Sequence, residues 1–285
     1  MAETLSNPDS QDPRGAQNAE TAQTSTLHPV TPARHTERRW HRYVSYDWAA
    51  PQVIVPLVGM ELARAAVTLP IAFVQQPGTV ASVAVLGLEP GVNLFVGADG
   101  RWIGGYVPAM LRSRPFLLLP APDGRRVLCV DEAAGRVQVG GAGEPFFDAE
   151  GKLAGVVGQV FDFLSQLENA RQAMARACDA IHASGVLVPW AIQVKTDNGE
   201  RRTEGLLRVD EEKLAALSSD EFLKLRETGA LTAIYAHLLS TQHIALLGEL
   251  GRARFASRNP PVMPVTSGGD LDLSFLQGGD TLRFS

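Results

Sequence analysis

From Leu153 to Ile181 the apolar residues Leu153, Val157, Val160, Phe161, Leu164, Leu167, Met174, Cys178 and Ile181 recur every three or four positions. That spacing sets them in one stripe along a long α-helix ending near Gly185, because side chains three and four apart share a helical face. The chain before it has a different rhythm. From about 41 to 150, short apolar runs alternate with glycine and proline: Val53 to Val58, Pro70 to Val74, Val80 to Leu88, Leu94 to Val96, Phe116 to Leu119 and Val127 to Val130. Such punctuation predicts strands and turns. Glu61 to Leu69, built of good helix formers and stopped by Pro70, is the one helix expected among them.

Beyond the long helix, Leu187 to Val194 and Leu206 to Val209 flank Asp197-Asn198-Gly199, a hairpin signal. Asp210-Glu211-Glu212 then opens a short helix and Ser219-Asp220-Glu221 caps another. Leu231 to Leu250 forms a third after a break at Gly229. The fold class is therefore α+β, with a β-rich N-terminal half containing hairpins, one long helix, then a hairpin and a helical C-terminal part. Residues 1–39 are expected to be a disordered leader and 251–285 a disordered tail, since both are poor in apolar residues. Between them, 40–250 is one folded unit, β-rich over 40–150 and helical with a hairpin over 151–250.

The net charge of −5 argues against general nucleic-acid binding, which needs a concentrated basic face. One basic cluster stands out: Arg34, His35, Arg38, Arg39, His41 and Arg42 around Trp40 and Tyr43, expected as a solvated linker. Two cysteines, Cys129 and Cys178, are too few for a disulfide scaffold or a four-sulfur zinc site, and a reducing compartment fits them. With no apolar signal-peptide core and no run approaching the roughly 20 apolar residues of a membrane helix, a cytoplasmic protein without a transmembrane segment is expected, with non-classical export to the cell surface as the alternative. Gly268-Gly269-Asp270-Leu271-Asp272 and Gly278-Gly279-Asp280 in the tail lack the regular period of calcium-binding repeats.

The densest chemistry lies between Asn93 and Phe116. Leu94-Phe95-Val96 and Arg101-Trp102-Ile103 form a hairpin around Gly97-Ala98-Asp99-Gly100, Pro108 starts a short helix, and Pro115 returns the chain to a strand. Arg112 and Arg114 thus sit at a helix-to-strand corner. Either the arginines snorkel and pair with Asp131, Glu132 or Glu144 while Trp102 and Tyr106 fill core, or guanidinium forks beside aromatic faces hold a carboxylate, phosphate or peptide terminus. The candidate ligand-binding set is Asn93, Arg101, Trp102, Tyr106, Arg112 and Arg114.

Catalytic candidates are weaker. Val130-Asp131-Glu132 and Val209-Asp210-Glu211 repeat a tripeptide whose carboxylates would serve a cation or a proton transfer, although Asp before a helix is ordinarily a cap. His237, beside Ser240 and Thr241, is either a lone acid or base or a satisfied core histidine; His243, about 240° further round the helix, cannot share a metal with it. His35-Thr36-Glu37 imitates an iron-oxygenase pair without a scaffold. Gly140-Gly141-Ala142-Gly143 is a turn and not a phosphate loop, because Glu144-Pro145 follows where a helix would have to open. No Gly-x-Ser-x-Gly elbow and no Gly-Lys-Ser/Thr loop occurs. No metal and no cofactor are expected.

The residues from about His41 to Leu250 resemble the bacterial SapC-like proteins. The resemblance runs through Val55-Pro56-Leu57-Val58, Glu61-Leu62-Ala63-Arg64-Ala65, Leu69-Pro70-Ile71-Ala72-Phe73, Leu86-Gly87-Leu88, Asn93-Leu94-Phe95-Val96, Gly100-Arg101-Trp102, Tyr106-Val107-Pro108-Ala109, Cys129-Val130-Asp131-Glu132, Gly143-Glu144-Pro145-Phe146-Phe147-Asp148, Val209-Asp210-Glu211 and Ile234-Tyr235-Ala236-His237-Leu238. Where the family pattern would read Arg-Arg-Tyr-Pro-Phe, this chain has Arg112-Ser113-Arg114-Pro115-Phe116. The family takes its name from a surface-layer locus, and similar genes look to neighbour TonB-dependent receptors, flavin-dependent tryptophan halogenases and cupin-like peptide oxygenases.

Three functions follow from these readings. An accessory protein binding a peptide, protein or small anionic ligand at the arginine and aromatic corner is favoured. A peptide- or amino-acid-modifying enzyme is the second and a surface-layer-associated protein the third. A deep pocket with convergent titratable groups would favour the enzyme, and a shallow aromatic groove the binder.

Overall fold

The computed structural model describes residues 26–196 and 199–258. Asp197 and Asn198 of the expected hairpin turn, the leader before Thr26 and the tail after Arg258 lie outside the described residues.

The architecture is α+β. An antiparallel five-stranded sheet in the order β10-β13-β4-β5-β3 forms its larger half. Its strands are β3 (Ile54–Pro56), β4 (Ile71–Gln76), β5 (Thr79–Val85), β10 (Leu187–Pro189) and β13 (Leu206–Val209). β4 and β5 are joined at Pro77-Gly78, where Gly78 takes a φ of 74° that the tight turn requires. A three-stranded sheet, β1-β7-β6, joins β1 (Leu27–Pro29), β7 (Arg126–Asp131) and β6 (Phe116–Pro120). A second, β8-β2-β9, sets β2 (Arg38–Trp40) between β8 (Val137–Val139) and β9 (Glu144–Pro145). The glycine run 140–143 is the turn between β8 and β9, with Gly140, Gly141 and Gly143 at φ of 64°, 79° and 124°.

The long helix is present as α4 (Gly155–Ala183), 29 residues or about 43 Å at 1.5 Å per residue. Its length decides the packing. Val157, Leu164 and Leu167 enter a core with Trp40, Phe116, Val130 and Phe146, while Met174, Ala177, Cys178 and Ile181 enter a second core with the large sheet and the C-terminal helices. One stripe thus ties the two sheet systems together, and burying it contributes roughly 1.5–3 kcal/mol per large side chain.

The expected 187–209 hairpin is built in two storeys. β10 pairs with β13 in the large sheet, and β11 (Ile192–Thr196) pairs with β12 (Gly199–Thr203) beyond it. Asp210 caps α5 (Glu211–Ala215), accepting from the Glu212 and Lys213 amides. The next cap is Ser218, one residue before the expected Ser219; it forms a capping box with Glu221 at the start of α6 (Ser219–Glu227). Gly229, at φ 74°, precedes α7 (Ala230–Ser240), and a 3₁₀ turn at Thr241–His243 leads into α8 (Ile244–Arg258).

Several expectations are corrected. The leader does not run to residue 39: β1 bonds β7, a short helix α1 (Pro32–His35) follows, and β2 buries Trp40. The basic cluster is no solvated linker, because His35 is fully buried against Phe146 and Arg34 and Arg38 both bind Glu132. The tail boundary at 251 falls inside α8. Glu61–Leu69 is a shorter helix than expected, a 3₁₀ turn at Gly59–Glu61 followed by α2 (Leu62–Ala65). The strands proposed at Leu94–Val96 and Arg101–Ile103 reduce to one bridge, Val96 to Trp102, closed by Gly97 N–H on the Arg101 carbonyl at 2.8 Å. Finally, within the helical run Ala230–Arg254 an 18-residue window reaches a mean hydropathy of 1.2, so by length and composition only this helix is long and apolar enough to cross a membrane. Its Ala230, Ala233, Ile234 and Leu247 are fully occupied in the core.

Candidate functional site

Pro108 opens α3 (Ala109–Arg112), and the Arg114–Pro115 peptide is cis as the chain turns into β6. This corner faces the segment 43–48, whose Tyr43, Tyr46 and Trp48 were not among the expected site residues. Arg114 Nη1 pairs with Asp131 Oδ2 at 3.0 Å and its guanidinium lies 5.6 Å over the Trp48 ring. Trp48 packs on Tyr43 at 5.4 Å, and Arg136 covers Tyr43 at 5.3 Å. The four side chains form a row, guanidinium at each end and aromatic rings between. Burial raises the Tyr43 phenol, with Arg114 and Arg136 opposing and Asp131 adding.

A second row adjoins it. The Arg112 guanidinium sits 5.6 Å from the Tyr106 ring and 5.4 Å from Phe163, with Nε on the Val107 carbonyl and Nη2 on the Tyr106 hydroxyl. Tyr106 donates to the buried carboxylate of Glu61. Burial first, then Glu61, raises the Tyr106 phenol. Trp102 stacks on Phe95 at 5.5 Å and meets Tyr46 edge-on at 5.8 Å. A Cβ at Gly104 would stand 2.8 Å from Trp102 Nε1, so only glycine leaves room for the indole.

Of the six expected ligand-binding residues, Trp102, Tyr106, Arg112 and Arg114 thus belong to this surface. Arg101 does not join them; its side chain is 81% exposed and its ion pair, 3.6 Å to Asp99, is itself on the surface. Asn93 is fully buried and spent on structure: Nδ2 donates to the Ala49 carbonyl and Oδ1 accepts from Phe95 N–H. The sequence marks Tyr43 only as part of the basic cluster and leaves Trp48 and Arg136 unmarked, because they lie in segments distant from the corner, though Trp40, Tyr43, Tyr46 and Trp48 within nine positions were a signal.

The catalytic candidates are structural groups. His237 is fully buried, its Nδ1 on the Ile71 carbonyl at 2.8 Å and its Nε2 accepting from Val209 N–H at 3.1 Å. The proton is therefore on Nδ1, no nitrogen is free, and the ring staples α7 to β4 and β13. Burial pushes its pKa down to about 4. Asp131 caps a 3₁₀ turn through the Ala133 amide besides holding Arg114. Glu132 takes Arg34 at 2.7 Å and Arg38 at 2.8 Å, and the Arg34 hydrogen bonds above all hold its pKa near 2. Glu144 pairs with no arginine of the corner; it lies in β9 beside Trp40. Among the described residues no group of three or more His, Cys, Asp or Glu could hold a metal ion.

A family model described as SapC matches residues 30–247. The chain belongs to the SapC family. The match opens at Val30, inside the ordered N-terminal segment, and closes in α8, so the family unit coincides with the two packed cores joined by α4. No curated protein and no solved structure matches the chain.

Proposed function

We propose that this SapC-family protein is a non-catalytic accessory protein whose Arg112, Arg114 and Arg136 surface recognises a carboxylate-bearing peptide or protein partner. The row Arg114–Trp48–Tyr43–Arg136 carries the proposal. Arg136 has no acidic partner among the described residues, and Arg114 keeps Nε and Nη2 free after pairing with Asp131. Three guanidiniums face two carboxylates, Asp131 and the buried Glu61, so the patch is cationic on a chain of net charge −5. Aromatic faces hold the forks flat, which lowers the entropy lost when they grip a planar carboxylate. Both cysteines are free thiols, which supports action in a reducing compartment such as the cytoplasm. A modifying enzyme would need a titratable group free to move a proton, whereas His237, Asp131 and Glu132 are each committed to partners.

The test is an array of acidic peptides probed with the full chain and with Arg114→Ala and Arg136→Ala. Each variant should stay folded and lose tenfold or more of binding, as expected for about 1.5–3 kcal/mol per charge-assisted contact. Folded variants that retain full binding would remove the corner from consideration.

A further inference from the structure

On the other side of α3 from the arginine row, between β5 and β6, runs a cleft of about 460 Å³. Met110 and Ser113 of the α3 corner reach its wall, while Arg112 is exposed to solvent. Its floor is one face of α4, where Leu164, Leu167, Glu168, Arg171, Met174 and Cys178 succeed one another.

Both walls are strand edges. Hydrogen bonds alternate along an antiparallel strand. Asp131 N–H binds the Pro115 carbonyl at 2.9 Å and Ala121 N–H the Arg125 carbonyl at 2.8 Å. With Leu117 opposite Cys129 and Leu119 opposite Val127, that phase turns Leu117 and Leu119 toward β7. The N–H and C=O of Leu118 therefore point out of the sheet, and β6 is its edge strand. Across the cleft, β3 covers β5 only as far as Leu57, whose N–H reaches the Ser82 carbonyl at 3.0 Å. By the same alternation the Val80 N–H faces the gap left beyond it.

The polar end of the cleft is also specific. Glu168 accepts both Arg171 and Arg126, so two guanidiniums share one carboxylate and leave a cationic surplus. From Leu164 to Cys178 the floor extends about 21 Å at 1.5 Å per residue, the reach of about six residues of extended chain. An acyl chain would suit the apolar floor but would leave the Leu118 amide and carbonyl unmatched, whereas a peptide backbone satisfies them.

We propose that this cleft binds an extended peptide segment of about six residues as a strand added to β6, with alternate apolar side chains on α4 and a carboxylate of the segment at Arg126 and Arg171. The site is separate from the arginine row and stands or falls without it.

The probe is an array of acetylated hexapeptides that alternate Val, Leu or Phe with Thr or Ser and end in a free-acid Glu. The best member is then titrated into the full chain by fluorescence anisotropy. Saturable binding is expected, weakened tenfold or more when alternate peptide amides are N-methylated and likewise in Arg126→Ala. Leu118→Pro, whose lost amide already faces away from β7, should abolish binding while the chain stays folded, at a lower melting temperature because Leu118 packs against the core of Phe116 and Leu164. Should that variant fail to fold, N-methylation and Arg126→Ala still decide. Three results would overturn the proposal: no member saturating, equal binding of N-methylated peptide, or loss of binding in Arg114→Ala with none in Arg126→Ala. Displacement by dodecanoate together with indifference to N-methylation would make the cleft an acyl-chain site instead.

Discussion

Tyr106 donates its phenolic hydrogen to Glu61 Oε2 at 2.9 Å across 45 residues of sequence. The same oxygen accepts the Ala109 amide at 2.8 Å, and Oε1 accepts Val58 N–H at 3.0 Å. One carboxylate, 2% exposed, therefore closes the first turns of two short helical segments and fixes the hydroxyl on which Arg112 rests. The placement of the arginine surface depends on it.

Removing that carboxylate strands two buried amides. Glu61→Ala should destabilise the fold by about 2–6 kcal/mol, since each orphaned donor costs roughly 1–3 kcal/mol, while Tyr106→Phe should cost about 1–2 kcal/mol. Urea unfolding followed by tryptophan fluorescence measures both. An Ala variant as stable as the parent would show that water replaces the carboxylate freely.

His237 gives the fold an acid limit. Its folded pKa is depressed to about 4 from an ordinary 6.5, so the unfolded chain binds the proton more readily. The resulting stabilisation is complete above about pH 6.5 and is lost as pH falls toward 4, a difference on the order of 3 kcal/mol. Stability measured from pH 7 to pH 4 should fall accordingly, and the His237 ring resonance should titrate well below the ordinary imidazole value of about 6.5. A ring titrating near 6.5 in the folded protein would refute the staple.

Periodicity made α4 legible, and the glycine run 140–143 made the β8–β9 turn legible, because both signals are local. The leader was misjudged for the opposite reason. Leu27–Pro29 carries little apolar content, and what orders it is a ladder to β7 about a hundred residues away, together with Arg34 and Arg38 on Glu132. Composition cannot report a partner that distant. The corner was half legible: Arg112, Arg114, Trp102 and Tyr106 share one short stretch, but Trp48, Tyr43 and Arg136 reach it from segments that only the packing of β2 against β8 and β9 brings near. Asn93 misled because a buried polar side chain that satisfies backbone and one that meets a ligand look alike in sequence, whereas the core reading of His237 holds.

The Glu132 cluster should behave as a clasp on that N-terminal segment. Burial lowers the His35 pKa, and its Nδ1 accepts Thr31 N–H, so the neutral ring turns its Nε2 hydrogen toward Glu132, 3.3 Å away but poorly aligned. Glu132 itself is held near 2, so its contribution is full above about pH 4.5 and is lost as pH falls toward 2. Glu132→Gln should weaken the clasp by about 1–2 kcal/mol. Hydrogen exchange should then speed up over residues 27–40 and stay unchanged in β4 and β5. Uniform acceleration throughout would mean that the segment is not a separable unit.

The two thiols report on two separate parts of the fold, Cys178 on the core that α4 forms with the large sheet and Cys129 on β7. Cys178 is 2% exposed and burial raises its pKa to about 11; Cys129, 5% exposed in β7, is raised by the same cause. A thiol modifies through its thiolate, so both low accessibility and low ionisation protect these positions. Iodoacetamide at pH 8 should leave both unlabelled in the folded chain and label both in urea, read by intact mass. Met174→Ala, which hollows the core beside Cys178, should cost about 2–5 kcal/mol and expose Cys178 before Cys129, because Cys129 sits in β7 outside that core. Simultaneous labelling of both would show instead that the core beside Cys178 and the β7 sheet open as one cooperative unit.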